Sequence, residues 1–382
     1  MEHEPPLRSE LFSAEQMEQH GKALAAAHTL APGRGRDRLL ARLADNESVL
    51  VRICGDFTAA VAADRRITPG AEWLLDNFYL IQEQVRTAKR HLPKGYSREL
   101  PRLARGASAH LPRVYDLASE AISHGDGRVD VESLSRFVAA YQAVTPLRMG
   151  ELWAIPIMLR LALIENLRRV SVRIAAAGVD RSRAAAWADQ MLEVAARDPR
   201  SLILVIADMA RSNPPMASPF VAELARRLQG QSAALALPLT WIEQRLSDSG
   251  DSIEQLVQVE AQEQARAQVS IGNTIGSLRF LAATDWRDFF EAMSGVERKL
   301  REDPGGLYGL MDFATRDRYR HVVEEIARRG TLSESEVARV AVRMAHDGTS
   351  GTSGRNGDDD RRAHVGYYLV DKGRASLERA AR

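Results

Sequence analysis

Apolar residues recur along most of this chain at the three- and four-residue spacing of an amphipathic α-helix. The clearest case places Leu74, Phe78, Ile81 and Val85 on one helical face. We find no run with the sustained alternation of a half-buried strand, and no strand–helix–strand pattern of a parallel sheet. The pattern therefore predicts an all-α fold, built as an irregular multi-helix bundle.

Capping signals mark where several of these helices begin. Ser13 with Gln16, and Ser333 with Glu336, have the spacing of a capping box, in which two side chains satisfy exposed backbone N–H groups at a helix start. Asp312 is expected to cap a further helix that runs to about residue 329. Other candidate caps are Asp130 or Ser133, and Thr145 followed by Pro146 at the first helical position.

The middle of the chain is predicted to hold a long helix over residues 147–177. Pro156 lies inside this segment and is expected to kink it, because proline lacks the N–H that the helix ladder uses. A separate helix is expected over residues 181–196. Further helices are expected over 237–267, 270–283, 286–302 and from 333 to about 345.

Composition shifts divide the chain into four parts. Residues 1–12 are predicted to be a loose arm, and residues 13–345 a helical domain with a candidate sub-boundary near 93–113, where prolines interrupt the pattern. Residues 346–362 are rich in Gly, Ser and Asp and have the composition of a flexible linker. Residues 363–382 combine a brief apolar patch with a short charged helix.

Charge and composition limit the classes of partner that the chain is expected to bind. The chain has 382 residues, 45% of them hydrophobic, and its 52 Lys and Arg nearly balance its 51 Asp and Glu. A net charge of +1 offers no global field to attract nucleic acid, so we expect no nucleic-acid partner. The start lacks the basic and apolar regions of a signal peptide, and the apolar runs are far shorter than the roughly 20 residues that span a bilayer. The chain is expected to be soluble and cytoplasmic, without a transmembrane segment within residues 1–382.

Searches for local chemical motifs give no catalytic centre. We find no phosphate-binding loop with Gly-Lys-Ser/Thr and no Gly-x-Ser-x-Gly nucleophile motif. None of the nine histidines lies three to five residues from another, so spacing predicts no metal site. The one cysteine, Cys54, sits among apolar residues and is expected to be buried and unreactive. We expect no catalytic residue, no metal and no cofactor in this segment.

Two segments carry unusual polar residues on otherwise apolar helices. The first, residues 73–83, has a polar face with Asp76 and Asn77 that is either a solvated face or a place to hold a sugar or a partner. In the second, residues 150–169, Arg160 is surrounded by apolar residues, and a buried arginine needs a partner. Either structural pairing or a ligand contact fits, and the nearest carboxylates along the chain belong to Glu165 and Glu151. The candidate residues of the second segment are Glu151, Trp153, Arg160, Glu165 and Asn166.

A third segment, residues 311–321, alternates basic and acidic side chains. One interpretation is contact with an anion or a nucleotide, because arginine binds phosphate through paired N–H groups. The other is an ion-paired surface helix. The candidate residues here are Asp312, Arg316, Asp317 and Arg320.

These segments also carry a resemblance to a known family. They are similar to the amino-terminal region of bacterial cyclic β-1,2-glucan synthases, over roughly residues 40–380. The matching motifs include Glu72-Trp73-Leu74-Leu75-Asp76-Asn77-Phe78, Leu92-Pro93-Lys94-Gly95-Tyr96-Ser97-Arg98-Glu99-Leu100-Pro101, Gly150-Glu151-Leu152-Trp153-Ala154-Ile155-Pro156, Asp285-Trp286-Arg287-Asp288-Phe289-Phe290, residues 311–320 and residues 364–373.

The resemblance implies a very large inner-membrane protein in which such a region precedes membrane helices and a UDP-glucose-dependent glycosyltransferase domain. Residues 363–382 would then lie near the membrane, and the chain would be either a fragment of such a protein or a separate short homologue. No catalytic residue of the family maps onto this chain. The candidate residues above are expected to form structural or interface polar pairs.

Three functions follow as hypotheses. The first is a non-catalytic cytoplasmic helical module of a membrane-bound cyclic β-1,2-glucan synthase, on the cytoplasmic side of the inner membrane. It would pack on, or regulate, the glycosyltransferase and membrane domains of the same polypeptide, with β-1,2-glucan as a candidate ligand. The alternative is a stand-alone helical glucan-binding or glucan-processing protein. The third is a helical adaptor with no carbohydrate role.

Overall fold

A computed structural model of the chain describes residues 4–33, 35–93, 95–248, 250–350 and 361–382, with residues 349 and 350 described by their backbone alone. Within these ranges the regular structure is helical, and strand-type pairing is limited to two isolated antiparallel bridges, Leu30 with Leu103 and Arg102 with Pro112. The predicted all-α fold is confirmed. Of the predicted linker 346–362, residues 346–350 continue the preceding helix, and residues 351–360 lie outside the described residues.

The first half of the chain leads into one very long helix. Its helices are α1 (Ala14–Ala27), α2 (Leu39–Ala62), α3 (Pro69–Asp76), α4 (Phe78–His91), α5 (Tyr96–Glu99), α6 (Arg113–His124), α7 (Val131–Gln142) and α8 (Met149–Arg197).

The second half of the chain forms helices that are shorter than α8, and several of them pack against it. Its helices are α9 (Leu202–Arg211), α10 (Ser218–Leu228), α11 (Ala236–Ser247), α12 (Ile253–Ala283), α13 (Trp286–Met293), α14 (Gly295–Leu300), α15 (Phe313–Arg329), α16 (Glu334–Ser350), α17 (Val365–Val370) and α18 (Arg374–Ala380).

Most predicted caps are present. Ser13 forms its capping box with Gln16, the Asp130 side chain accepts a hydrogen bond from the N–H of Ser133, and Asp312 caps α15. Ser333 and Glu336 also exchange the hydrogen bonds of a capping box. The expected start at Thr145 is wrong. Helix α8 begins at Met149, because the Glu151 side chain accepts the N–H of Arg148 and so caps the helix there.

Helix α8 is a single helix of 49 residues, where two helices were predicted. At 1.5 Å per residue it is about 74 Å long. The backbone stays helical through Pro156 and Gly178. Residues 158–167 are buried throughout, so packing on both sides offsets the hydrogen bond that Pro156 cannot make. Despite this length, no helix of the described ranges is both long and apolar enough to cross a bilayer.

Two helix breaks were misplaced in the second half. The predicted break near residue 268 does not exist, and the chain instead turns between α11 and α12, where Ser252 and Gln255 form a capping box. The predicted helix 286–302 is divided at Ser294, whose side chain caps α14. Apolar spacing continues across such short turns, so the capping hydrogen bonds decide the boundary.

Two hydrophobic cores lie along the two longest helices. The larger one joins the first half of α8 and the second half of α12 to α2, α4, α6, α7 and the C-terminal helices. The smaller one joins the second half of α8 to α9, α10, α11 and the start of α12. Cys54 lies buried in the larger core, as predicted. Helices α8 and α12 therefore form the frame on which the polar sites are placed.

The N-terminal arm, predicted to be loose, lies against this frame. The N–H of Leu7 donates to Asn166 Oδ1 at 3.0 Å, and the N–H of Ser9 donates to the carbonyl of Ser123 at 3.0 Å. Oxygen atoms on α6 and α8 thus accept hydrogen bonds from backbone N–H groups of the arm. The apolar pattern of the sequence gives no sign of these contacts.

Candidate functional site

The candidate residues predicted from the sequence fall into three places. Asp76 and Asn77 lie where α3 meets α4, and Glu151, Trp153, Arg160, Glu165 and Asn166 lie along α8. Asp312, Arg316, Asp317 and Arg320 lie at the start of α15. Trp153 packs against the rings of Phe290 and Phe313, which also lie against Arg320, and the three groups are otherwise separate.

The densest of these places is a buried ion network, called here the Glu297 cluster: Glu291, Glu297, Tyr308, Arg316 and Arg320. The side chains of Glu297 and Arg320 are each 1% exposed, and Arg320 donates to Glu297 Oε2 at 2.6 Å. The Tyr308 hydroxyl donates to the same oxygen at 2.7 Å. Burial and the neighbouring carboxylate raise the pKa of Tyr308, so its hydroxyl stays protonated and remains a donor.

Glu291 forms the outer half of the cluster. Arg316 donates to both of its carboxylate oxygens, at 2.7 and 2.9 Å, and Arg320 donates to it at 3.2 Å. Burial alone would raise the pKa of Glu291, but the hydrogen bonds from Arg316 and then Arg320 lower it. Asp317 accepts from Arg320 at 3.1 Å. The arginines predicted to contact an anion or to lie on an ion-paired surface are thus turned inward, onto carboxylates of this chain.

Aromatic rings cover the cluster. The Arg320 guanidinium lies over the ring of Phe313 at 4.8 Å and over that of Phe290 at 5.1 Å. Trp153 stacks on Phe290, with ring centroids 4.2 Å apart. These contacts exclude water and favour the cation through the ring quadrupoles. Trp153 is therefore a packing residue of the cluster in this structure.

A loop over residues 303–311, called here the α14–α15 loop, rises from the cluster. Its base is Asp303, which accepts from His364 Nδ1 at 2.6 Å and from the N–H of Val365 at 2.9 Å. Burial would raise the pKa of Asp303, but the hydrogen bonds from His364 and Val365 lower it, so the Asp303 carboxylate stays ionised. The loop holds Leu307 and Leu310 in solvent, 52% and 83% exposed. Hydrogen bonds at Asp303 thus fix the loop, and its exposed surface is apolar at Leu307 and Leu310.

Two carboxylates of α8 have arginine partners from other helices. Arg113 donates to both oxygens of Glu151, at 2.7 Å each, with the two side chains 3% and 0% exposed. Glu165, 1% exposed, accepts from Arg42 in a paired contact and from the Tyr115 hydroxyl at 2.6 Å. Burial would raise the pKa of Glu165, but these hydrogen bonds lower it to about 2.

Arg160 is buried, as predicted, but its expected pairing with a carboxylate is wrong. Its Nε donates to Gln84 Oε1 at 2.9 Å, and a terminal nitrogen donates to the carbonyl oxygen of Leu281 at 2.9 Å. Burial lowers its pKa. Glu165 and Glu151, five and nine residues away on the same helix, point to other faces, because neighbours on a helix are three or four residues apart.

The remaining candidates differ in exposure. Asn166 is fully buried, and its amide donates to Thr274 Oγ1 at 3.2 Å. Asn77 is also buried and donates to the carbonyl of Trp73 at 2.8 Å, while Asp76 faces solvent. Beside it, Trp73 and Tyr79 are 46% and 64% exposed. On the polar face that was expected to be either solvated or a place to hold a sugar or a partner, Asp76 and Tyr79 are exposed, with Trp73 beside them.

A groove of about 680 Å³ lies between the N-terminal arm, α8, α10 and α12. Its lining includes Glu260, which is 6% exposed and accepts from Arg181 at 2.8 Å and from Gln264 at 2.7 Å. Across the groove wall, Arg173 donates to Glu263 at 2.7 Å. Carboxylates, guanidinium groups and an amide, paired with one another, thus form part of the groove lining.

Several residues of these sites were missed from the sequence: Arg42, Arg113, Tyr115, Glu291, Glu297 and Tyr308. A weak signal existed for Glu297, which lies three residues after Ser294, the spacing of a cap. No local signal connects Arg42 to Glu165, which are 123 residues apart.

Comparisons with known proteins support the resemblance found in the sequence. No protein-family model matches the chain. The chain is 33% identical, over 377 residues, to the cyclic β-(1,2)-glucan synthase NdvB of Rhizobium meliloti (strain 1021). The match covers 98% of this chain but only 13% of that relative. The predicted similarity to cyclic β-1,2-glucan synthases is confirmed, and the chain spans a small part of its curated relative.

Proposed function

We propose that this chain is a helical, non-catalytic segment of a membrane-bound cyclic β-(1,2)-glucan synthase. In this proposal it lies on the cytoplasmic side of the inner membrane and packs on, or regulates, the UDP-glucose-dependent transferase part of the same polypeptide. The observation that carries the proposal is the similarity of 98% of the chain to 13% of a protein with that name. The proposed role requires no cofactor in this segment.

The α14–α15 loop is the contact surface that the geometry supports best. Leu310 is 83% exposed, yet its loop is anchored by Asp303 and by the hydrogen bond of Tyr308 to Glu297. Because the loop is already ordered, docking an apolar partner on it costs little further conformational entropy. The charged groups below the loop are paired within the chain, which suits a rigid support for an interface.

The first test uses the size and location of the native gene product. An antibody to this segment, applied after membranes and cytosol of the source cells are separated, is expected to detect a very large protein in the membrane fraction. A cytosolic band near the 42.2 kDa of this chain would contradict the proposal.

The second test uses the loop in the gene as it occurs in those cells. Leu310→Asp should abolish or strongly reduce cyclic β-1,2-glucan synthesis without lowering the amount of protein, since the side chain is 83% exposed. The matched control is Leu204→Asp, because Leu204 is 64% exposed on α9, beside the smaller core. Equal glucan yields from the two variants and the wild type would exclude the loop as the contact.

The groove and the exposed aromatic residues favour one second candidate, a stand-alone glucan-binding or glucan-processing protein. Trp73 and Tyr79 offer rings on which a sugar face can stack, and the groove offers paired polar groups. Calorimetric titration of the purified chain with β-1,2-glucan, and a separate assay for its cleavage, distinguish the two candidates. Saturable binding together with a cytosolic 42.2 kDa product would support this second function.

A further inference from the structure

Two histidines and a glutamate from different helices meet beside the N-terminal arm. His20 lies on α1, and Glu120 and His124 lie four residues apart on α6. The distance from Glu120 Oε2 to His20 Nε2 is 2.7 Å, and to His124 Nε2 it is 3.4 Å. One ligand atom from each residue lies within 4.8 Å of the others. We propose that these three side chains bind a divalent transition-metal ion, of which Zn²⁺ is the ion that their chemistry suits best.

No metal site was predicted from the sequence, because the prediction considered only histidines close to one another along the chain, and His20 and His124 are far apart. His20 and Glu120 are 100 residues apart, and their approach depends on how α1 packs beside α6. When α1 and α6 are packed together, His20, His124 and Glu120 provide two imidazole nitrogens and one carboxylate oxygen. Zn²⁺ accepts this ligand set, whereas Mg²⁺ and Ca²⁺ prefer oxygen alone.

The hydrogen bonds of His124 determine which of its nitrogens is free. Its Nδ1 lies 2.6 Å from the carbonyl oxygen of Glu10, which can only accept, so Nδ1 carries the hydrogen. A neutral ring then presents the bare lone pair of Nε2 to the carboxylate of Glu120, 3.4 Å away. Two acceptors facing each other repel unless a cation or a second proton lies between them. Metal-binding histidines commonly donate their other N–H to a backbone carbonyl in this way.

The surroundings hold the rings in place and leave one side open. Phe12 stacks on the ring of His124, with centroids 3.8 Å apart and 11° between the planes, and meets His20 edge to face at 5.4 Å. The side chains of His20, Glu120 and His124 are 25%, 31% and 9% exposed. Three protein ligands and an open side leave room for a water as the fourth ligand. A metal here would tie the arm, α1 and α6 together, a role that goes beyond the proposed function.

The test is titration of the purified chain with Zn²⁺ after treatment with a chelator, followed by calorimetry and by the melting temperature. We expect one equivalent of Zn²⁺ to bind and to raise the melting temperature, with Mg²⁺ at the same concentration doing neither. His20→Gln and Glu120→Gln should each weaken Zn²⁺ binding at least tenfold. The control is His91→Gln at an exposed position of α4, which should bind like the wild type.

A spectroscopic measurement covers the case in which a variant folds poorly. Co²⁺ in place of Zn²⁺ should give the visible absorption of a four-coordinate site in the wild type and in the His91 variant. Absence of binding in the calorimeter would overturn the proposal, and so would binding that His20→Gln and Glu120→Gln leave unchanged. ¹⁵N spectra that show both nitrogens of His124 protonated at pH 7.5, with no change on adding Zn²⁺, would assign the contact to a proton instead.

Discussion

Replacing Glu165 is expected to destabilise the fold, because this one buried carboxylate accepts several hydrogen bonds. Glu165→Gln keeps the shape of the side chain and removes its charge. The new amide can still accept from the Tyr115 hydroxyl, but it places N–H groups against Arg42, which donates to Glu165 in the wild type. The variant therefore loses charge-assisted hydrogen bonds that the wild type makes in a site 1% exposed to water.

The magnitude follows from the pKa of Glu165, which folding lowers from 4.5 to about 2. At 1.36 kcal/mol for each tenfold change in proton affinity, this contributes about 3 kcal/mol to the free energy of unfolding. Because the folded pKa is the lower one, the contribution is fully present above pH 4.5 and is lost as the pH falls toward 2. It should decline to less than half of that value at pH 3.

The assay is urea denaturation of wild type and variant at pH 7, 5 and 3. We expect Glu165→Gln to be less stable by about 3 kcal/mol at pH 7 and 5, with a smaller difference at pH 3. The matched control is Glu193→Gln, since Glu193 is 59% exposed and pairs with Arg197 on the surface of α8. That variant should change stability by less than about 0.5 kcal/mol. A Glu165 variant as stable as the control, or a difference independent of pH, would show that the ionised Glu165 carboxylate does not stabilise the fold.

Three further predictions concern other buried groups. Arg160→Ala leaves the oxygens of Gln84 and of a backbone carbonyl without a donor and should cost about 3 kcal/mol in urea denaturation, so wild-type stability would contradict its burial. Arg320→Met removes the nearest cation from the buried Glu297 carboxylate, which keeps the Tyr308 hydroxyl and Arg301 as partners, and should cost about 2–3 kcal/mol, with partial recovery on adding Glu297→Gln; an unchanged melting temperature would contradict this. Burial raises the pKa of Cys54 to about 12, so the native thiol should not react with a disulfide reagent at pH 8, whereas the unfolded chain should react fully. Rapid labelling of the native protein would show that this thiol is accessible.

The helical character of the chain was predictable because it depends on neighbours within four residues. The capping boxes at Ser13 and Ser333 and the cap at Asp312 are where the sequence places them. The errors arose where packing outweighs local preference. Helix α8 runs on across residues 178–180, where a break was predicted, because Ile174 and Ala184 on either side of this stretch pack into the two hydrophobic cores.

The candidate residues were predictable as unusual side chains, but their partners were not. Arg160 was correctly expected to be buried, yet its partners are Gln84 on α4 and a carbonyl at the end of α12. Arg316 and Arg320, for which either an anion contact or an ion-paired surface helix was expected, pair with carboxylates of α13 and α14. Sequence spacing can compare only residues that share a helix face, and these partners come from other helices.

The order of residues was enough to predict the helical class, most helix starts, the burial of Cys54 and the similarity to a glucan synthase. Each of these depends on residue type and short spacing, which remain the same in the unfolded chain. The packed arrangement of the helices was needed to show that Glu165 pairs with Arg42, Glu297 with Arg320 and His20 with Glu120. Those contacts are set by which helices pack together, and that choice comes from the sum of many small apolar contacts spread over the whole core.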